Sequence, residues 1–164
     1  MSDTLFKTAD LCDAFEGKVQ VCEPLLRMYG GHTTFHGRIE TIKCFEDNSL
    51  VREQVRLPGD GRVLVVDAGG SKRCAMLGDL LAAAAYDYGW AGVIVYGLIR
   101  DSAEIAKMKL GVAAMGTIPI KSVKRGEGQL GITVRFAGVE FRRGYYCYAD
   151  SDGIIVSAKP LIND

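Results

Sequence analysis

No Cys-x-x-Cys pair occurs anywhere in this chain of 164 residues, and its five cysteines, Cys12, Cys22, Cys44, Cys74 and Cys147, are odd in number and scattered. That spacing argues against a thiolate zinc site and a disulfide framework, and leaves buried free thiols as the expectation. Also missing are an apolar run approaching about eighteen residues and a basic, apolar, small-residue leader, so a soluble cytoplasmic protein with no membrane partner is expected. An excess of one charge is absent too. Twenty basic and twenty acidic residues cancel, which removes the electrostatic reason to seek nucleic acid or an anionic membrane. His32 and His36 are the only histidines. Their i, i+4 spacing suits a metal on a helix, but Gly30, Gly31, Gly37 and Thr33-Thr34 argue against a helix there.

Nucleotide motifs are also lacking. Ala68-Gly69-Gly70-Ser71-Lys72-Arg73 follows a strand pattern but matches neither the phosphate-loop spacing nor the dinucleotide fingerprint, although its glycines permit close backbone approach to a small anion. Asp150-Ser151-Asp152-Gly153 lacks the twelve-residue calcium loop and its closing Glu, and reads as a turn. Between Lys121 and Arg143, six basic residues face only Glu127 and Glu140, with Phe136, Phe141, Tyr145, Tyr146 and Tyr148 close by. The alternation Ile132-Val134-Phe136 against Thr133-Arg135 nevertheless fits a half-buried strand, and no RNA-binding aromatic motif accompanies it.

What is present is an α/β pattern that fits one domain, 1–164, large enough to bury roughly two-thirds of its unfolded surface. A short helix is expected over 8–17, capped by Thr8 or Asp10, then a mostly irregular connection over 19–31. A strand follows over 37–45 and a helix over about 47–56. The continuous apolar runs Val63-Leu64-Val65-Val66 and Val93-Ile94-Val95-Tyr96 read as strands buried on both faces, which helices should cover. Short strands over 111–116, 139–141, 145–149 and 154–157 make the last third β-rich.

The chain centres on 77–104. Gly78-Asp79 opens an alanine-rich helix over 78–88, and twenty residues separate Asp79 from Arg100-Asp101, which follow the next strand. Ligands of open α/β sheets bind beyond the carboxyl ends of strands, where the following helices begin with free N–H groups and a partial positive charge. One βαβ unit would therefore return Arg100 and Asp101 to the start of the helix. Asp101 suits a hard divalent cation, Asp79 a second ligand or a group that orients water, and Arg100 a substrate carboxylate or developing oxyanion. The same spacing fits an Arg-Asp pair capping a short helix after residue 101, and spacing leaves both alternatives open.

Several segments together resemble a known family. They are Ala9-Asp10-Leu11-Cys12-Asp13, Ile42-Lys43-Cys44-Phe45-Glu46-Asp47-Asn48, Val63-Leu64-Val65-Val66-Asp67, Gly97 with Arg100-Asp101, and Tyr148-Ala149-Asp150 with Gly153-Ile154-Ile155-Val156. The chain looks like the family of the regulator of ribonuclease activity A, which includes class II 4-hydroxy-4-methyl-2-oxoglutarate aldolases. That resemblance implies an α/β sandwich of the swivelling β/β/α type, assembled as a homotrimer with pockets at subunit boundaries. It implies that Gly78, Asp79, Leu80 and Leu81 present backbone amides to a small 2-oxo acid and that Arg100 holds its keto oxygen. By the same resemblance Asp101 binds Mg²⁺ or Mn²⁺ and Asp79 positions a metal water. Retro-aldol cleavage to pyruvate, with oxaloacetate decarboxylation through the same enolate, is the activity implied. The alternative implied is a protein-binding inhibitor of ribonuclease E and the RNA degradosome. Longer aldolases of the family carry additional C-terminal sequence that completes a neighbouring site, so decarboxylation is the simpler expectation for a sequence ending at Asp164.

Overall fold

The structure is a computed structural model that describes residues 5–163. In chain order its elements are α1 (Thr8–Ala14), β1 (Gln20–Val21), β2 (Arg27–Met28), β3 (Phe35–Lys43), α2 (Ser49–Gln54), β4 (Val63–Asp67), α3 (Asp79–Asp87), β5 (Gly92–Ile99), α4 (Ser102–Ile105), β6 (Gly111–Thr117), β7 (Gln129–Leu130), β8 (Val134–Phe136), β9 (Val139–Phe141), β10 (Tyr146–Asp150) and β11 (Gly153–Ser157). One mixed sheet runs in the order β1-β11-β10-β3-β4-β5-β6-β2, with β7 also paired to β3. Its centre, β3 to β6, is parallel, and the strands around it are antiparallel.

The apolar runs of β4 and β5 are buried on both faces, as their composition requires. Alternate residues go to different cores. Leu64, Val66, Val93, Val95, Val112 and Ala114 pack under the helices with Leu81, Ala82, Ala85 and Ile105. Val63, Val65, Ile94 and Ala113 pack on the opposite face with Val134, Phe136, Phe141, Cys147 and Val156. Helices therefore cover one face only, and the β-rich C-terminal third covers the other. This corrects the expectation that helices clad the whole sheet. Period-2 burial shows that both faces are covered but does not say by what.

Other differences are local. The 19–31 connection holds the short strands β1 and β2, each too brief to leave a pattern. Neither Thr8 nor Asp10 caps α1. Lys7 holds the cap position, and Asp150 accepts bonds from the Thr8 amide and hydroxyl, both at 2.7 Å. Asp150 also accepts the Asp152 amide at 3.0 Å, as the turn reading expects. The cysteines are all free thiols, with Cys44, Cys74 and Cys147 buried. Burial pushes Cys22 and Cys44 up to about 12. No helix among the described residues is long and apolar enough to cross a membrane.

One buried acid ties the loops at the carboxyl end of the sheet together. Asp47 is 2% exposed. Its Oδ1 accepts the Ser49 amide and hydroxyl at 2.9 and 2.5 Å, and its Oδ2 accepts the Arg125 and Glu127 amides at 2.8 and 3.1 Å. Burial alone would raise its pKa, but the Ser49, Glu127 and Arg125 donors outweigh burial and hold it at about 2. Asp47→Asn removes the charge and turns one acceptor into a donor facing amides, so it should cost about 2 kcal/mol at pH 7 in urea unfolding. A depressed pKa stabilises the fold above the unfolded value of 3.8 and is lost as pH falls towards 2. The wild-type advantage over Asp47→Asn should shrink across that interval.

Candidate active site

The site is assembled by backbone pairing where β5 ends. Between Val95 and Leu98 the register of β5 against β6 slips by one residue, a bulge of the kind that re-aims the chain beyond it. Gly97 lies in the bulge, where a Cβ would approach that of Ala68 to 2.9 Å. Beside it, residues 75–77 run along the end of β5 like a further short strand. Ala75 bridges in parallel to Leu98 and to Lys121. The Met76 amide donates to the Leu98 carbonyl at 2.8 Å, and the Arg100 amide donates to the Leu77 carbonyl at 2.9 Å. That clasp sets Gly78 against Arg100 and Asp101.

Gly78 is the N-cap of α3, and its carbonyl accepts the Ala82 amide at 3.0 Å. Asp79 begins the helix, and its amide donates to Asp101 Oδ2 at 3.0 Å. The Asp101 carboxylate therefore serves α3, not α4. Asp101 occupies the N-cap position of α4, yet makes no side-chain cap bond there. Its φ of 58° and ψ of 39° are left-handed, a conformation that costs a non-glycine residue about 1–3 kcal/mol and recurs at functional sites. Gly78 has φ −125°, which any residue adopts, so its lack of a side chain answers to space. A Cβ there would lie 2.8 Å from Asp101 Oδ2 and 3.4 Å from Arg100 Nε.

The polar groups converging here have spare capacity. Among the described residues, neither the Arg100 guanidinium nor the Asp79 carboxylate has a hydrogen-bond or ion-pair partner within the protein, and Asp101 keeps Oδ1 open. In the first turn of α3 the Leu80 and Leu81 amides have no carbonyl four residues back within the helix. The Leu81 side chain is buried and anchors that turn, whereas Leu80 is 76% exposed. Chemically, the amides and guanidinium suit a carboxylate or an oxyanion, and the acids suit a cation. Asp101 offers one carboxylate, which fits Mg²⁺ or Mn²⁺ retaining several waters and not an all-protein zinc cage. No group of three or more His, Cys, Asp or Glu side chains placed to hold a metal occurs among the described residues.

The competing motifs find other uses. His36 stacks on Tyr148 at 5.8 Å. Phe136 stacks between Tyr96 and Phe141 inside the core. Arg135 and Arg142 pair with Glu140, and Arg143 with buried Glu40. A groove of about 720 Å³ beside Arg38, Tyr86, Trp90 and Tyr146 includes none of the residues at the β5 end. Sequence reasoning missed the clasp at 75–77, because its bonds are made by backbone groups that every residue but proline carries.

The family described as RraA-like, Aldolase/RraA, matches residues 8–156. A relative from Pseudomonas syringae pv. tomato, with the provisional name 4-hydroxy-4-methyl-2-oxoglutarate aldolase, is 56% identical over 94% of this chain and 95% of its own length. A crystal structure from Geobacillus kaustophilus, described as an S-adenosylmethionine:2-dimethylmenaquinone methyltransferase, is 52% identical with TM-score 0.93, covering 95% of this chain and 97% of that one. The RNA-processing inhibitor RraA from Thermus thermophilis is 38% identical with TM-score 0.91, covering 98% and 95%.

Because only flexible side-chain ends obstruct a methyl group on Gly78, Gly78→Ala should fold with a Tm within about 3 °C of wild type. It should nevertheless push Asp101 and Arg100 apart. Titration with Mn²⁺, followed by electron paramagnetic resonance, should show affinity reduced about tenfold or more, within the range seen when groups supporting a metal ligand are disturbed.

Proposed function

The chain belongs to the RraA-like Aldolase/RraA family, and from that membership we propose that it is a divalent-metal-dependent lyase cleaving 4-hydroxy-4-methyl-2-oxoglutarate-type 2-oxo acids to pyruvate. Oxaloacetate decarboxylation accompanies that reaction. The observation carrying this reading is the Asp101 carboxylate bonded to the Asp79 amide at 3.0 Å, beside an Arg100 guanidinium with no protein partner among the described residues. Such an arrangement leaves its charges for a ligand.

The amides of Leu80 and Leu81, at the positive end of α3, receive the substrate carboxylate. Arg100 donates to the C2 keto oxygen, where negative charge grows as the C3–C4 bond breaks. Asp79 orients the water that takes the C4 hydroxyl proton. C4 then leaves as the ketone of one pyruvate, and the remaining three carbons leave as the enolate of a second. Oxaloacetate has no C4 hydroxyl to deprotonate: breaking C3–C4 releases CO₂ and leaves the same enolate. A Mg²⁺ or Mn²⁺ held by Asp101 would supply Lewis-acid withdrawal of charge from the keto group. No lysine is needed to form an imine.

Within one chain the site is open to solvent. Leu80, Phe45, Ile120 and Val123 are exposed apolar side chains at this end of the sheet, and that exposure supports a homotrimer in which a neighbouring copy covers them and the pockets lie at subunit boundaries. Free thiols throughout are in keeping with the reducing cytoplasm. The methyltransferase reading has less support. Asp67 is buried, occupied by Lys43 at 3.1 Å and the Gly69 amide at 2.9 Å. The Phe45 and Tyr96 rings lie beside Gly69 and Gly70, where an added Cβ would meet them at 2.8 and 3.2 Å. Inhibition of ribonuclease E is the second reading, carried by the likeness to the Thermus inhibitor. It gives no reason for an unpaired Arg100 beside Asp101.

Pyruvate release from oxaloacetate should require Mg²⁺ or Mn²⁺, stop with EDTA, and fall about a hundredfold or more in Asp101→Ala and Arg100→Ala, the scale of losing one oxyanion donor. Equal pyruvate release by wild type and both variants, with and without metal, would sink the lyase reading. Capture of ribonuclease E at micromolar concentration in that circumstance would favour the second.

A further inference from the structure

The side chain of Asn48 is 7% exposed, and two observations show that neither capping nor packing accounts for it. Asn48 holds the N-cap position of α2 but makes no side-chain cap bond. Its Oδ1 is buried and has no partner among the described residues, so an apolar side chain of similar size would fill the space without that burden. What the side chain does make is one bond. Its Nδ2 donates to the Met76 carbonyl at 3.4 Å.

Met76 lies two residues ahead of Gly78, in the strip that the clasp holds. The Ala75 amide goes to the Ile120 carbonyl at 2.7 Å, the Met76 amide to Leu98 at 2.8 Å, and the Leu77 carbonyl to the Arg100 amide at 2.9 Å. Asn48 holds the carbonyl between these bonds. It thereby limits rotation of the peptide that delivers Gly78 to Arg100 and the Asp79 amide to Asp101. Ser122, whose Oγ is also buried without a partner among the described residues, follows Ile120 on the other flank of the strip.

We infer that Asn48 is a positioning residue for the 2-oxo acid site, acting through the Met76 carbonyl on the strip before Gly78. This rests on the lyase reading. Misplacing a reactive geometry by about 1 Å can cost about a hundredfold, so the effect should fall on kcat.

Asn48→Leu and Asn48→Ser test the inference in oxaloacetate decarboxylation with Mg²⁺, beside wild type and Asp101→Ala. Ser is too short to reach the carbonyl, and Leu has no donor. Both should lower kcat about tenfold or more while KM changes less than about threefold. In Asn48→Leu, relief of the unpaired Oδ1 offsets the Met76 carbonyl left without its donor, and Tm should stay within about 3 °C of wild type. Amide hydrogen exchange should quicken at 76–80 while β4 keeps its protection. Wild-type kcat in Asn48→Leu would overturn the inference, as would a loss of kcat tracking a lower Tm with faster exchange everywhere. Should wild type itself show no metal-dependent turnover, the lyase reading fails, and hydrogen exchange alone still decides whether Asn48 holds the strip.

Discussion

A backbone clasp, Arg100 N–H to the Leu77 carbonyl and Met76 N–H to the Leu98 carbonyl, is the constraint on which the candidate site depends. A parallel sheet brings the end of β5 and the start of α3 to the same edge, but only within several ångströms. The clasp replaces that approximate nearness with fixed hydrogen-bond lengths. Asp101 can then reach the Asp79 amide, and that bond offsets part of the cost of a left-handed backbone at a residue with a side chain. Gly78 completes the arrangement by leaving room.

The layering of the molecule explains why this edge is available. Helices lie on one face of the parallel strands and the β-rich C-terminal third on the other, so both faces of β4 and β5 are dry. Neither face can take a polar ligand. The loops beyond the strand ends are where backbone groups can remain unpaired, and they are braced from below. Asp47 gathers the starts of α2 and the 125–127 turn, while the 120–123 segment lies alongside Ala75. A charged group 2% exposed is tolerated there because four donors surround it.

The relatives carry names from three functional classes on one fold, which illustrates how little a fold alone says about activity. What separates the readings is local. An inhibitory surface needs no particular acid after Arg100. The aldolase reading alone uses the acids, the guanidinium and the helix N-terminus together. The aldolase-named relative is matched over 95% of its own length, so extra C-terminal sequence is not a general feature of proteins with that name.

Elements whose signals are periodic or compositional can be read from the order of residues. The twofold apolar runs of β4 and β5, the Gly78-Asp79 helix start, the Asp150 to Gly153 turn, and the acid and Arg-Asp pair twenty residues apart are all legible without coordinates, since local sterics and side-chain chemistry decide them. Burial of both sheet faces was legible in the same way. What covers each face was not, because Val63 reads identically under a helix or a second sheet. It took the folded chain to show that Asp101 serves α3 instead of α4, that a bulge at Tyr96-Gly97 re-aims the chain, and that Asn48 reaches Met76 across twenty-eight positions. Those outcomes rest on backbone hydrogen bonds and contacts between distant segments. Every residue but proline carries the same amide and carbonyl, so the pairing that places these charges together leaves no mark in the order of the side chains.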